Sequence, residues 1–327
     1  MLPGQAAYKK ARIHRAQYLL RHNEKNMYKT PIVLFTYARP EHTRCTVEAL
    51  LKNDGAADHD LIVFSDGAKS AAAQSAVTAV RTYLETISGF RSIRIHHRPR
   101  NLGLAQSVIE GVSQVLSEFD RVIVLEDDLV TSPHFLTYMN EALDRFEDDE
   151  RVISIHGYSY PVKNPLPDAF FLRGADCWGW ATWRRGWKLF NPDGQALLNK
   201  LKTEKLLYAF DFNGTYAYSE MLQAQINGLN DSWAVRWYAS AFLAGKLTLY
   251  PGRSLVHNIG NDGTGTHHEF RSSYDVSVSS TQIDIASIEV SPSLAGRVAF
   301  ESFFRASKQT FFKNLLARTK QLLKAAQ

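Results

Sequence analysis

Residues 121–130 read RVIVLEDDLV, residues 132–149 read SPHFLTYMNEALDRFEDD, and residues 151–159 read RVISIHGYS. The apolar, β-branched run Val122 to Leu125 predicts a buried strand. The stretch opened by Ser132 and Pro133 predicts a helix, and RVISIHGYS a further strand. Working outward toward the N-terminus, the same alternation recurs. PIVLFTY (31–37), LIVFSDG (61–67) and SIRIHH (92–97) read as strands. RPEHTRCTVEALLKND (39–54), SAAAQSAVTAVRTYLETIS (70–88) and NLGLAQSVIEGVSQVLSEF (101–119) read as helices, the first with Pro40 near its first turn. Continuous apolar strands separated by helices of this length predict parallel strands covered on both faces, a doubly wound, mostly parallel α/β sheet. Ligands of such sheets bind beyond the carboxyl ends of the strands. Attention therefore falls on Thr36 to Arg39, Ser65 to Gly67, HRPRNLG (97–103) and Glu126 to Asp128, which are polar for strand exits.

Outward in the other direction the pattern loosens. Residues 160–270 are rich in Trp, Tyr, Gly and Asn and read as a loop-heavy half built onto the same sheet, and the Ser-rich stretch 271–296 reads as a strand or a tether. The expected organisation is a basic N-terminal segment (1–30), a first half of the sheet (31–130), a second half (131–270), a Ser-rich connector (271–296) and a basic amphipathic helix (297–327). The net charge of +5 is unevenly spread: each end carries +6, which leaves −7 for the body. An acidic body without basic and aromatic residues interleaved along its strands argues against nucleic-acid binding. Two distant cysteines, Cys45 and Cys177, make neither a disulfide framework nor a metal cluster and point to a reducing, cytoplasmic compartment. No run approaches the ~20 apolar residues of a membrane span and the N-terminus has no apolar signal core, so neither crossing nor export is expected. At the C-terminus Phe300, Phe303, Phe304, Phe311, Phe312, Leu315, Leu316, Leu322 and Leu323 recur at helical spacing among basic residues. Such a helix suits peripheral contact with an anionic membrane surface, with packing on the body as the alternative.

The acids Glu126, Asp127 and Asp128 follow an apolar strand directly. Three adjacent carboxylates repel one another, which a divalent cation or several hydroxyl donors offsets; solvated acids at a strand end are the ordinary alternative. In an extended chain Glu126 and Asp128 point one way and Asp127 the other. Asp66 of SDG can accept from the N–H edge of a pyrimidine base, although Asp-Gly is also a common turn. Arg39, Arg98, Arg100 and Asn101 offer donors suited to phosphate and ribose. Each is ordinary alone, and together they suit one nucleotide diphosphate. Neither a GxGxxG nor a P-loop follows the first strand, which ends in TYARP, and the paired aspartates of a haloacid-dehalogenase-like site are not there either. Trp183 and Trp187 lie one helical turn apart and predict core packing, whereas Trp178 and Trp180, beside Gly179, can stack on a sugar face. His257 and His267 are imidazoles with metal-binding chemistry or structural roles.

The set TYARP, SDG, RNLGLAQSVIEGV and VLEDDLVTSPHF resembles a GT-A fold glycosyltransferase, with the DxD-type motif written EDD. CWGWATWRRGW (177–187), NDSWAVRW (230–237) and YPGRSLVHNIGNDGTGTH (250–267) are similar to the branch typified by N-acetylglucosaminyltransferase I. The resemblance spans roughly residues 30–268 and implies that 31–130 is the nucleotide-sugar-binding half and 131–270 the acceptor-binding and catalytic half. It implies that Asp128 binds Mn²⁺ or Mg²⁺; of the two histidines, His257 is the stronger candidate for a further ligand because it sits in the Gly/Asn-rich loop. Glu126 and Asp127 then contact the nucleotide, Asp66 the uracil, Thr36 and Arg39 the base and ribose end, and Asn101 and Gly103 the ribose. Asp231 is the implied catalytic base, although Asn230-Asp231-Ser232 is also an N-cap signal. Gly174 to Gly179 and the tryptophans border the acceptor. The implied activity is inverting, metal-dependent transfer from a UDP-sugar to a hydroxyl of a glycan or lipid-linked acceptor. A non-catalytic glycan or nucleotide binder on the same fold is the alternative, against which the full set of acids counts.

Overall fold

The structure, a computed structural model, describes residues 29–262 and 272–308. Residues 1–28 of the basic N-terminal segment, His267 and residues 309–327 of the expected C-terminal helix lie outside the described residues. Ten strands are present among them: β1 (Ile32–Thr36), β2 (Asp60–Ser65), β3 (Ser92–His97), β4 (Arg121–Glu126), β5 (Leu129–Thr131), β6 (Val152–His156), β7 (Ala169–Arg173), β8 (Trp180–Trp183), β9 (Leu247–Pro251) and β10 (Val256–Asn258). The helices are α1 (Pro40–Leu51), α2 (Gln74–Leu84), α3 (Leu104–Glu118), α4 (Phe135–Arg145), α5 (Arg184–Trp187), α6 (Gly194–Thr203), α7 (Leu207–Phe210), α8 (Tyr218–Ile226) and α9 (Trp233–Leu243). A last helix, α10, covers residues 294–308.

Eight strands form one sheet in the order β3-β2-β1-β4-β8-β6-β9-β7. The strands β3, β2, β1 and β4 run parallel, as expected of a doubly wound GT-A-type sheet. Alternation along β1 explains the two covering layers, because successive strand side chains point to opposite faces. Ile32 and Leu34 pack with residues of α1, α2 and α4, and Val33 and Phe35 pack with residues of α3 and α9. At the start of β1, Asn140 of α4 and His59 clamp the chain. His59 Nδ1 lies 2.7 Å from the Thr30 carbonyl and its Nε2 lies 3.3 Å from Asn140 Nδ2. Burial holds the His59 ring below its ordinary pKa and therefore neutral.

Two expectations are corrected, and an open one is decided. First, residues 160–262 are not mainly loops: they supply β7 to β10 and α5 to α9. The strand β8, WATW, inserts antiparallel between β4 and β6, so Trp180 pairs with Val124 on one side and His156 on the other. Second, RVIVLEDDLV is not one strand. β4 ends at Glu126, the chain turns at Asp127 and Asp128, and β5 leaves the large sheet to pair antiparallel with β10. The Ser-rich connector, read as a strand or a tether, is a tether over its described part: it holds a 3₁₀ turn at Ser272–Tyr274 and an isolated bridge at Pro292, and it buries Ile283 and Ile285 in the core. The following helix begins as a packed element. Phe300 and Phe304 are buried beside Phe170, Phe210 and Tyr238, so these two rings face the body and not a membrane. No helix of the described residues is long and apolar enough to cross a membrane.

Candidate active site

The carboxyl ends of β1, β2 and β4 open onto one crevice, and α1 holds its acidic turn in place. Pro40 stands in the first turn of α1 and Thr46 lies on its buried side. The Thr46 hydroxyl donates to the Asp127 carbonyl (2.9 Å) and accepts from the Leu129 amide (3.1 Å), so it spans the turn between β4 and β5. The turn replaces the extended arrangement expected for the three acids and directs them differently. The Tyr37 amide, just beyond β1, donates to Asp127 Oδ2 at 3.1 Å. Asp128 receives the Arg39 guanidinium at 3.1 Å, with both side chains 18% exposed. The same guanidinium reaches Asp262 Oδ1 at 3.2 Å. His42 Nε2 lies 2.6 Å from Arg39 Nη2 and 3.2 Å from Asp262 Oδ2. Thus α1, the acidic turn and the segment after β10 share one charged network. Gly260 belongs to it because a Cβ there would collide with the Asp128 carboxylate.

Burial, followed by mutual repulsion, raises the proton affinity of the acids. Glu126 is pushed up to about 8 and Asp127 to about 7. Asp128 is also raised by burial, with Arg39 pulling the other way. Repulsion among these half-buried carboxylates, with Arg39 in contact with Asp128, favours a further positive charge at the turn.

Across the crevice, Asp66 organises the loop between β3 and α3. It is 5% exposed. Its Oδ1 accepts from the Gly67 and Leu102 amides, both at 2.9 Å, and its Oδ2 from Asn101 Nδ2 (3.0 Å), Leu102 N (3.1 Å) and Gly103 N (3.0 Å). Asp66 therefore acts here on Asn101 and Gly103, and a base edge reaches it only by displacing one of these donors. Gly103, at φ +77°, turns the chain into α3 in a conformation that favours glycine. The Thr36 hydroxyl at the end of β1 is buried and has no partner among the described residues. Arg98, expected to serve phosphate, is instead paired with Glu110 at 2.7 Å and lies over the Phe64 ring.

Asp231 stands against this loop: a Cβ on Gly103 would lie 3.6 Å from Asp231 Oδ2. It does not cap α9. The Ser232 hydroxyl does so by accepting from the Val235 amide. The Asp231 carboxylate is 71% exposed, with Arg236 3.9 Å away. His257, on β10 opposite Val130, follows the acidic turn across the small sheet, and its Nδ1 is buried without a partner among the described residues. The expected tryptophans divide. Trp180 is 1% exposed and packed against Trp187, Trp233 and Trp237, so its ring has no face for a sugar. Trp183 and Trp187 are buried as expected. Trp178 stays half-buried, edge-on to Tyr158 and Tyr274, and Gly179 follows it at φ +63° with its carbonyl accepting from the Gly157 amide. Sequence reasoning missed His42 and Gly260 because only their contacts, not their types, mark them.

The sequence pattern of the family described as glycosyl transferase family 2 matches residues 32–213, more than half of the 327-residue chain. Among solved structures, TarS of S. aureus is 14% identical with a TM-score of 0.32, covering 45% of this chain and 24% of that one. Its 1–349 form is 12% identical with a TM-score of 0.41, covering 70% of this chain and 60% of that one. The mannosyltransferase PcManGT of Pyrobaculum calidifontis, solved with GDP-Man and Mn²⁺, is 10% identical with a TM-score of 0.35, covering 67% of this chain and 70% of that one. The chain thus spans about a quarter of the longer TarS chain and 60% of the shorter. No curated protein matches it in sequence.

Proposed function

Because the chain belongs to glycosyl transferase family 2, we propose that it transfers a sugar, with inversion, from a UDP-sugar to a hydroxyl of a glycan or lipid-linked acceptor. We place it in the branch typified by N-acetylglucosaminyltransferase I, with Mn²⁺ or Mg²⁺ as the cofactor. One observation carries this reading: Asp127, Asp128 and Arg39 converge beyond the ends of parallel strands.

The residues fit a hard divalent cation. Asp128 presents a half-buried carboxylate in a turn of three acids, and His257 Nδ1 is buried and lacks a partner among the described residues. No three of His, Cys, Asp and Glu converge as a complete cage among the described residues. A cation of this kind needs only one or two protein ligands when substrate phosphates supply others. Asp128 is its ligand and His257 the second. When bound, the ion offsets the diphosphate charge and stabilises the leaving group. Glu126 and Asp127 border the nucleotide, the Asn101–Gly103 loop its ribose, and Thr36 and Arg39 the base and ribose end. Asp231 serves as general base: it is exposed, relieved of capping by Ser232, and adjacent to Gly103. A carboxylate in that position takes the acceptor hydroxyl's proton on the side away from the leaving group.

A thermal-shift panel of UDP, GDP, CMP and dTDP, with and without Mn²⁺, tests the reading. A rise with UDP that requires the metal is expected. A response to none of the four nucleotides removes it.

A further inference from the structure

Beside the acidic turn, and not used by it, lies a second group of polar side chains at the same edge of the sheet. His156 ends β6 and pairs across Trp180 with Val124, two residues before Glu126. Its ring is wholly buried and both nitrogens are unpartnered among the described residues. Burial holds it neutral. Its Nε2 points to Asp176 Oδ2 across 3.7 Å, beyond hydrogen-bond reach, with the Asp176 side chain 20% exposed. The Asp176 carboxylate accepts from its neighbour's amide, Cys177 N, at 2.9 Å. The Tyr250 hydroxyl faces it, and the Tyr250 ring lies 5.0 Å from that of His156. A carboxylate has about four acceptor positions. The Cys177 amide and Tyr250 fill two, so Asp176 retains acceptor capacity that its neutral neighbour His156 does not neutralise.

Aromatic rings wall this carboxylate. Trp178, two residues on, meets Tyr158 at 4.8 Å between ring centroids and Tyr274 at 6.0 Å. The Tyr158 hydroxyl donates to the Tyr274 carbonyl at 2.7 Å and fixes the wall. An acceptor carboxylate beside half-exposed aromatic surface matches a pyranose, which presents hydroxyl donors at its rim and apolar C–H groups on its face. The negative charge disfavours an acceptor sugar that is itself anionic.

We propose that Asp176, backed by His156 and flanked by Trp178, is the subsite for a neutral, hydroxyl-rich acceptor sugar, accepting hydrogen bonds from two of its hydroxyls. This rests on the glycosyltransferase reading above and names the acceptor side of that site. The test is saturation-transfer NMR on the full chain with UDP and Mn²⁺, using the methyl glycosides of glucose, galactose, mannose and N-acetylglucosamine, and methyl glucuronide. At least one neutral glycoside binds, and Asp176→Asn weakens it about tenfold, since a charged acceptor is exchanged for a neutral one. The glucuronide binds least. The UDP and Mn²⁺ melting shift is the same in the variant. If Asp176→Asn fails to fold, Trp178→Leu substitutes for it, with a comparable loss expected. Neutral glycosides that bind the variant as well as the wild type overturn the subsite, as does a panel in which none binds or the glucuronide binds best. Glycoside binding that depends on Asp176, in a protein that no nucleotide stabilises, supports the subsite and removes the glycosyltransferase reading instead.

Discussion

Replacing Asp66 by Asn should loosen the loop that we propose borders the nucleotide, and the size of the effect follows from its contacts. Asp66 is 5% exposed and receives three backbone amides, from Gly67, Leu102 and Gly103, as well as Asn101 Nδ2. Asparagine keeps one oxygen and turns an N–H₂ toward donors that need an acceptor. If it keeps Oδ1, Gly103 loses its partner and Asn101 keeps only the Gly67 carbonyl; if it keeps Oδ2, Gly67 loses its partner. Hydrogen bonds to a charged group contribute about 1.5–3 kcal/mol each, and a buried donor left unsatisfied costs a similar amount. A local loss of about 2–4 kcal/mol results, which corresponds to a fall of about 30- to 1,000-fold in amide protection. Hydrogen-exchange mass spectrometry on peptides covering Leu102 and Gly103 reads this directly. UDP affinity should fall with it, since Asn101 and Gly103 lose their anchor. A protection change below about threefold at those amides would refute the assignment of Asp66 as the organiser of the loop.

Asp128→Ala should abolish the metal-dependent part of UDP stabilisation, about 2.7 kcal/mol at 100 times the dissociation constant; a melting shift equal to wild type would dismiss Asp128 as the ligand. Asp231→Asn should lower transfer by about 10²–10⁴-fold and leave the melting temperature and UDP binding unchanged, because Ser232 makes the cap. Ser232→Ala should show the reverse, a stability loss of about 1 kcal/mol, and transfer within a few-fold of wild type in Asp231→Asn would send the search for the base elsewhere. His59 supplies a pH test away from the site. Its pKa in the folded chain lies below the ordinary 6.5, so the unfolded chain takes up a proton first. The stability it contributes is present above about pH 6.5 and lost as pH falls below it. His59→Gln should flatten the decline in denaturant stability between pH 7 and 5, and parallel curves for the two proteins would count against the neutral ring.

How much was legible from sequence depended on the range of the interaction. The strands and helices from Ile32 to His156 were readable because burial on two faces leaves continuous apolar runs, and the exits of parallel strands are where polar residues gather for ligands. The acids at Glu126 to Asp128 and the loop at Asn101 to Gly103 were found by that rule. Trp183 and Trp187 are core residues as expected, but not through helical spacing: Trp183 ends β8 and packs in one layer, and Trp187 ends α5 and packs in the other. Periodicity records only how one element is buried, not what it meets. It could not show that β8 would slot antiparallel between β4 and β6 and carry Trp180 into the core. Nor could it show that Thr46 would bend the acidic run into a turn, because donor and acceptor lie 81 positions apart. Arg39 finds Asp128 across 89 positions and Asp262 across 223. Ser232 and Asp231 are adjacent and both are good caps; the backbone path into α9 chose between them. By itself the sequence determined which residues are apolar, charged or turn-forming and at what period. Tertiary structure decided which charge faces which, because the energy of a buried carboxylate depends on partners that folding brings within a few ångströms from anywhere in the chain.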